Sequence, residues 1–311
     1  MPLAVGPAIS ASLGLEGTFM FIATLIAKER LSSGDISAAE DALRQAGLHA
    51  FGRSWIEEER ACDLLFSQRP ARARAALEGL LAGTDVIVQG EASRRRKLLV
   101  ADMDSTMITV ECIDELADYA GIREAVAAIT ERAMRGEIAF EQALAARVAL
   151  LKGMDETVID RCREERVRLT PGARALVRTM RREGAFTLLV SGGFTGFAEP
   201  IGAEIGFDRV VANRLEGEGR LSGTVAAPVV GPAAKRQALL DAAAERGLEA
   251  AAALAIGDGA NDIPMVEAAG LGVSYHGKPA LAAAAGALIE HNDLTALLYA
   301  QGYARGEWES D

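Results

Sequence analysis

Residues 97–106 read KLLVADMDST, an apolar run that stops at Asp102-Met103-Asp104 and continues into two hydroxyl residues. In an extended chain alternate side chains share a face, so Asp102 and Asp104 project to one side and Met103 to the other. Further along, short apolar runs at 186–190, 209–212, 254–256, 270–275 and 287–289 alternate with long helix-like stretches. With 97–101 they predict the strands of one parallel sheet covered by helices on both faces, an α/β fold. In open sheets of this kind ligands gather at the C-terminal edge of the strands, which is where the two aspartates fall.

About eighty residues separate the first two strands and read almost wholly as helix. One crossover needs far fewer, so a helical insertion covering the strand ends is expected at about 110–180. The stretch NRLEGEGRLSGT (213–224) has the glycine-rich turn chemistry of a hairpin. Upstream, 19–90 has the order βαββαβ, which predicts a small second sheet with two helices on one face. Its strands are expected at 19–27, 48–56, 60–66 and 85–89. Its helices are expected at 33–47, capped by Ser33 or Asp35, and at 71–81, closed by Gly83. Residues 1–18 read as a loose leader, 91–97 (EASRRRK) as a solvated linker, and 98–311 as the larger domain.

The chain has 311 residues, 50% hydrophobic and 25% charged, the balance of an ordinary globular protein. Lys+Arg 33 against Asp+Glu 44 leaves −11, which argues against general attraction to nucleic acid. Cys62, Cys112 and Cys162 lie too far apart for a disulfide framework or a zinc site and read as reduced thiols. The longest early apolar run, 19–27, is short for a membrane span and has no basic residue before it. A cytoplasmic protein with no membrane partner is the expectation.

Three more pieces carry chemistry. LAIGDGAND (254–262) is a second strand ending in acid, with Asp258, Asn261 and Asp262 just beyond it. Clustered carboxylates repel one another unless a cation sits among them, and an oxygen-only set without His or Cys favours Mg²⁺ over zinc. FTLLVSGGF (186–194) ends in Ser191-Gly192-Gly193, whose hydroxyl and open backbone N–H groups suit a phosphate oxygen. Ser191 as a nucleophile is disfavoured, because the G-x-S-x-G elbow and a histidine partner are both missing. Lys235 falls in the first turn of a helix begun by Pro232, within reach of a phosphate gathered by the strand ends. CREERVR (162–168) has the C-x₅-R spacing of cysteine phosphatases, but it has no glycine to form a cradle and two glutamates that would repel phosphate. It reads as a helix face.

In kind and order these four pieces resemble the motifs of the haloacid dehalogenase superfamily of phosphatases, from Lys97 to about Gly302. The resemblance implies a Rossmann-like parallel sheet with a helical cap inserted after the first strand. It also implies a catalytic pair, Asp102 as nucleophile and Asp104 as acid and base, with Mg²⁺ held by Asp102, the Asp104 carbonyl and Asp258, and Asp262 in its outer shell. The insertion, with ITVECIDELADYAG (108–121) and ITERAMRGEIAFEQALAARVALLKG (129–153), looks like the cap of the phosphoserine phosphatases within that superfamily. Substrate contacts are thereby implied at Glu111, Met134, Phe140, Arg147, Ser191, Gly192, Lys235 and Asn261. The small-molecule substrate implied is O-phospho-L-serine. The chemistry fits: Glu111 can accept from an ammonium and Arg147 can grip a carboxylate with its fork, while Met134 and Phe140 form an apolar lid. The N-terminal unit resembles an ACT-like module, which leaves serine feedback and a homodimer through that domain open. The alternatives are a phosphatase for another small monoester, or an amino-acid-sensing protein on a phosphatase scaffold.

Overall fold

The computed structural model describes residues 20–134 and 137–310, so the expected leader at 1–18 lies outside the described residues. The chain opens with β1 (Phe21–Ala27), α1 (Ser33–Gln45), β2 (Gly52–Glu57), β3 (Ala61–Phe66), α2 (Pro70–Leu77) and β4 (Thr84–Gly90), in the expected βαββαβ order. The four strands make an antiparallel sheet in the order β2-β3-β1-β4. Ile36 and Leu43 of α1 and Leu77 of α2 close its core with Leu25, Leu64 and Val86. The cap of α1 lies one residue earlier than expected. Ser32 Oγ accepts from the Asp35 N–H at 3.1 Å, and the Asp35 carboxylate accepts from the Ser32 N–H at 2.8 Å. That reciprocal pair satisfies two donors that a cap at Ser33 would leave bare. The second helix stops at Leu77 rather than 81, because Glu78 is extended and Gly79 turns the chain at φ +74°.

The larger unit begins at β5 (Leu98–Ala101) and runs through α3 (Cys112–Tyr119), α4 (Arg123–Met134), α5 (Phe140–Ala149), α6 (Thr157–Arg166) and α7 (Ala173–Arg182) to β6 (Phe186–Phe194). There follow α8 (Thr195–Ile205), β7 (Arg209–Asn213), the hairpin β8 (Leu215–Gly217) and β9 (Leu221–Val225), and α9 (Pro232–Ala244). The chain ends with β10 (Ala253–Gly257), α10 (Ile263–Ala268), β11 (Leu271–Tyr275), α11 (Pro279–Ala284), β12 (Ala287–Ile289) and α12 (Ala296–Ala300). Six strands form a wholly parallel sheet in the order β12-β11-β10-β5-β6-β7. The four residues of β5 are fully buried and divide their side chains between two layers. Leu98 and Val100 meet Leu239 and Ala242 of α9, and Leu99 and Ala101 join the core containing Leu176, Phe197 and Ile201. The chain leaves β5 toward β6 on one side and later returns to its other side as β10. The acidic ends of β5 and β10 and the Ser-Gly-Gly end of β6 therefore lie side by side at a topological switch point.

The insertion between β5 and β6 is helical, as expected, but α7 is a sheet-covering helix packed on β6 and α8, so the cap proper is α3 to α6. The β8–β9 hairpin leans against α5. CREERVR lies on α6 and the turn after it, with Cys162 buried.

The segment 91–97 is mostly exposed, but two of its arginines are tied into the fold. After one 3₁₀ turn (Glu91–Ser93), Arg94 pairs with Asp63 at 2.7 Å and donates to the carbonyls of Tyr299 and Ala300. Arg96 is buried and bridges Gln89 Oε1 and the Ala251 carbonyl, each at 2.8 Å. Across the same junction the buried Asp85 carboxylate accepts from the N–H groups of Glu290, His291 and Asn292 and from the Asn292 side chain. A charge run read in isolation looks solvated; here its partners come from both ends of the chain. Among the described residues no helix is long and apolar enough to cross a membrane. Cys62, Cys112 and Cys162 are buried free thiols.

Candidate active site

Asp102 follows the last residue of β5 and is buried. Its Oδ1 accepts from the Met103 N–H at 2.7 Å and pairs with Lys235 Nζ at 2.7 Å. Lys235 reaches it from the first turn of α9, completely buried, and stands 2.7 Å from Asp262 Oδ1 as well. Asp262 Oδ2 accepts the N–H groups of Asp258 and Gly259 at 3.2 and 3.1 Å. Asn261 directs Nδ2 toward Asp102 Oδ2 at 3.5 Å. The ends of β5 and β10 and the start of α9 thus form one polar cluster.

Asp104 Oδ1 accepts from the Cys112 N–H at 3.1 Å, which ties the acidic turn after β5 to the first cap helix. Ser191 Oγ accepts from the Gly193 N–H at 2.8 Å. A Cβ at Gly193 would come within 2.8 Å of Asp104 Oδ2 and 3.0 Å of Ser191 Oγ, so only glycine lets β6 approach this closely. Asn213 fastens the loop from beneath. It donates to the Gly192 carbonyl at 2.9 Å and accepts from the Val230 N–H at 2.7 Å.

The cap supplies the opposite wall. Glu111 accepts from Ser105 Oγ at 2.9 Å. The Phe140 ring lies over the core glycines: a Cβ at Gly192 would come within 3.2 Å of it, and one at Gly231 within 3.1 Å. Arg147 is partly buried and donates to the Ala143 carbonyl at 3.3 Å. Among the described residues Arg147 forms no ion pair, and burial lowers its pKa against the pull of Asp114, Glu111 and Asp104. Met134 ends α4, and its side chain lies outside the described residues.

The electrostatics of the cluster are those of excess negative charge. Burial, and then Asp262, hold the Asp102 carboxyl well above the usual range despite Lys235. Burial and the neighbouring Glu111 push Asp104 up to about 7. Asp258 is raised by burial. Burial works against the charge on Lys235, but Asp102 and Asp262 outweigh it and hold its pKa above the ordinary value. Oxygens of Asp102, Asp258 and Asp262 lie within 4.8 Å of one another, a buried oxygen-only donor set suited to a hard divalent cation.

The family model of the haloacid dehalogenase-like hydrolases matches residues 99–267. The chain belongs to the haloacid dehalogenase-like hydrolase family. Members generally use a divalent metal, and the three aspartates fit one. The chain is 44% identical over 244 residues to the phosphoserine phosphatase of Streptomyces coelicolor, covering 78% of this chain and 59% of that protein. It is 45% identical over 229 residues to a phosphoserine phosphatase of Mycobacterium tuberculosis, covering 73% and 56%. It therefore spans less than two thirds of the length of these two curated relatives. Among solved structures, the unliganded form of a probable phosphoserine phosphatase from Vibrio cholerae superposes with a TM-score of 0.72 at 31% identity, over 93% of this chain and 88% of that one.

In this member of the family the fold brings together Asp102, Asp104, Ser191, Gly192, Lys235, Asp258, Asn261 and Asp262 at the strand ends, with Glu111, Phe140 and Arg147 on the cap side. Two site residues escaped the sequence reading. Lys278 pairs with Asp258 Oδ2 at 3.2 Å and stands 4.0 Å from Glu111 Oε1. Its signal was scarcity, since it is one of only five lysines. Asn213 had no signal, because a hairpin turn accounts for an asparagine there.

Proposed function

We propose that this chain is a magnesium-dependent phosphoserine phosphatase, hydrolysing O-phospho-L-serine to L-serine and phosphate in the last step of serine biosynthesis. The observation that carries this reading is the pairing of Glu111 and Arg147 on a cap that faces the acidic strand ends. One accepts from an ammonium and the other donates to a carboxylate, the two groups that distinguish phosphoserine from other small monoesters. The activity of the curated relatives supports it.

Asp102 is the nucleophile. Its carboxylate attacks phosphorus in line, the P–O bond to serine breaks, and an aspartyl phosphate forms. Asp104, with a pKa near neutrality, protonates the departing serine oxygen and then takes a proton from the water that hydrolyses the intermediate. Ser191, the Gly192 N–H and Lys235 meet the phosphoryl oxygens as charge spreads over them. Asn261 orients the phosphoryl side. Glu111 and Arg147 hold the amino and carboxylate ends, and Met134 and Phe140 shut out water. Asp102, the Asp104 carbonyl and Asp258 would hold Mg²⁺. Asp262 is left in the outer shell, because both its oxygens are committed to Lys235 and to backbone N–H groups. When bound, Mg²⁺ supplies positive charge that offsets repulsion between the carboxylates and the phosphate dianion.

The substrate is a small molecule, and a cytoplasmic enzyme fits a biosynthetic role. A homodimer through the N-terminal domain is supported by β2, an edge strand that exposes Trp55, beside the exposed Phe51.

The test is phosphate release from O-phospho-L-serine, with Mg²⁺ and with EDTA, beside sugar and nucleotide monophosphates. Mg²⁺-dependent turnover that favours phosphoserine is expected. Broad turnover would remove the Glu111 and Arg147 assignment. No turnover by the folded, Mg²⁺-supplied chain would replace catalysis with ligand sensing.

A further inference from the structure

Two lysines face the acidic cluster, and their settings differ. Lys235 has no exposure and is wedged between two buried aspartates. The Lys278 side chain is 55% exposed. Its backbone is fixed, because its N–H donates to the Asp258 carbonyl at 2.8 Å and Pro279 starts α11 beside it. Its ammonium hydrogen-bonds Asp258 Oδ2 at 3.2 Å and stands 4.0 Å from Glu111 Oε1. Asp258 directly follows β10 and Glu111 stands at the start of α3, so one flexible side chain from a third element lies between them.

We propose that Lys278 is a tethered counter-ion which, in the substrate-free protein, occupies the two acidic positions that a divalent cation at Asp258 and a substrate ammonium at Glu111 take up in turnover. This rests on the proposed function. A lysine ammonium is a compact point charge on a flexible stem, and an exposed ion pair is held weakly. Lys278 therefore balances negative charge at the seam without closing it. It also opposes both incoming cations. A unit charge and a doubly charged ion a few ångströms apart at a wet edge repel enough to shift a dissociation constant about tenfold.

The experiment uses the full, metal-stripped chain. Calorimetric titration with MgCl₂ is compared for wild type, Lys278→Gln and Lys278→Arg. The glutamine variant is expected to bind Mg²⁺ about tenfold more tightly. The arginine variant, which keeps the charge, should stay close to wild type. At saturating Mg²⁺ the glutamine variant should also lower KM for O-phospho-L-serine relative to its des-amino analogue, 3-phosphooxypropanoate. If wild type binds Mg²⁺ and hydrolyses phosphoserine while Lys278→Gln binds Mg²⁺ no tighter, or more weakly, the counter-ion inference alone is overturned. If wild type binds no Mg²⁺, the metal reading fails and this inference fails with it.

Discussion

Lys235→Met keeps most of a buried stem and deletes its charge. In the native site that ammonium lies 2.7 Å from one oxygen of Asp102 and 2.7 Å from one oxygen of Asp262, with all three groups shut away from water. Taking one partner from a buried ion pair typically costs about 3–5 kcal/mol, because the remaining charge is stranded in a poor solvent. Here two carboxylates lose the same cation, so the upper half of that range, about 4–5 kcal/mol, is expected. For a unit of this size each kcal/mol lowers Tm by about 2–4 °C, so a fall of about 8–20 °C is predicted. The assay is thermal unfolding followed by circular dichroism in EDTA. Repeating it with Mg²⁺ adds the second half of the prediction. A cation that binds only the folded site at about a hundred times its Kd returns about 2.7 kcal/mol, so part of the loss should be recovered. An unchanged Tm in EDTA would refute the claim that Lys235 holds these carboxylates together.

Asp104→Asn should lower kcat by about 10²–10⁴ with Tm nearly unchanged; a kcat within a few-fold of wild type would remove Asp104 from the proton transfers. Gly193→Ala puts a methyl group 2.8 Å from Asp104 Oδ2 and 3.0 Å from Ser191 Oγ, so kcat should fall at least about tenfold in a protein that still folds. Asp85→Ala leaves the three backbone N–H groups of residues 290–292 unpaired at the domain junction, while Asn292 Nδ2 keeps the Ile26 carbonyl, and should cost about 2–4 kcal/mol in urea unfolding, with the active-site residues untouched. Burial pushes the thiols of Cys62 and Cys162 up to about 11. Their folded pKa values lie above the unfolded one, so the stability they contribute is complete below about pH 9 and lost as pH rises toward about 11. Stability that stays flat across that window, measured by denaturant unfolding, would contradict the burial argument.

The parallel sheet was legible because each of its strands is a short apolar run and the long helical stretches between them force parallel connections. The acidic edge of the sheet was legible for a related reason. Asp102, Ser191 and Asp258 each close or follow such a run, and parallel strands in one sheet must end on the same side. Boundaries were less legible where a side chain two or three residues away decides the matter. The cap of α1 passed to Ser32 because only there can Asp35 reach back to an N–H. Arg94 and Arg96 escaped entirely. The partners of Arg94 are Asp63, 31 positions upstream, and carbonyls more than 200 positions downstream, and no local pattern carries such a pairing. The same holds for Lys278, whose meaning depends on Glu111 and Asp258 arriving from two other elements.

Of the 33 basic residues only five are lysine: 28, 97, 152, 235 and 278. Arginine supplies most of the ion pairs on the outside of the fold and at its junction, where a planar fork suits fixed partners. Both lysines in the cluster are placed where charge must be shared or surrendered. Lys235 serves two carboxylates at once, and Lys278 stands between two more. A chain at −11 with five carboxylates around its site should repel a phosphate dianion. It can bind one only if positive charge is concentrated at the strand ends and kept adjustable. A buried lysine, a cap arginine that forms no ion pair among the described residues and a donor set fit for a divalent cation meet that requirement together, with an exposed lysine to balance the charge until they are filled. Loss of the cap arginine or of an aspartate in the donor set should therefore weaken phosphate binding more than it weakens the fold, loss of Lys235 should weaken both, and loss of Lys278 should instead ease entry of the cation and the ammonium.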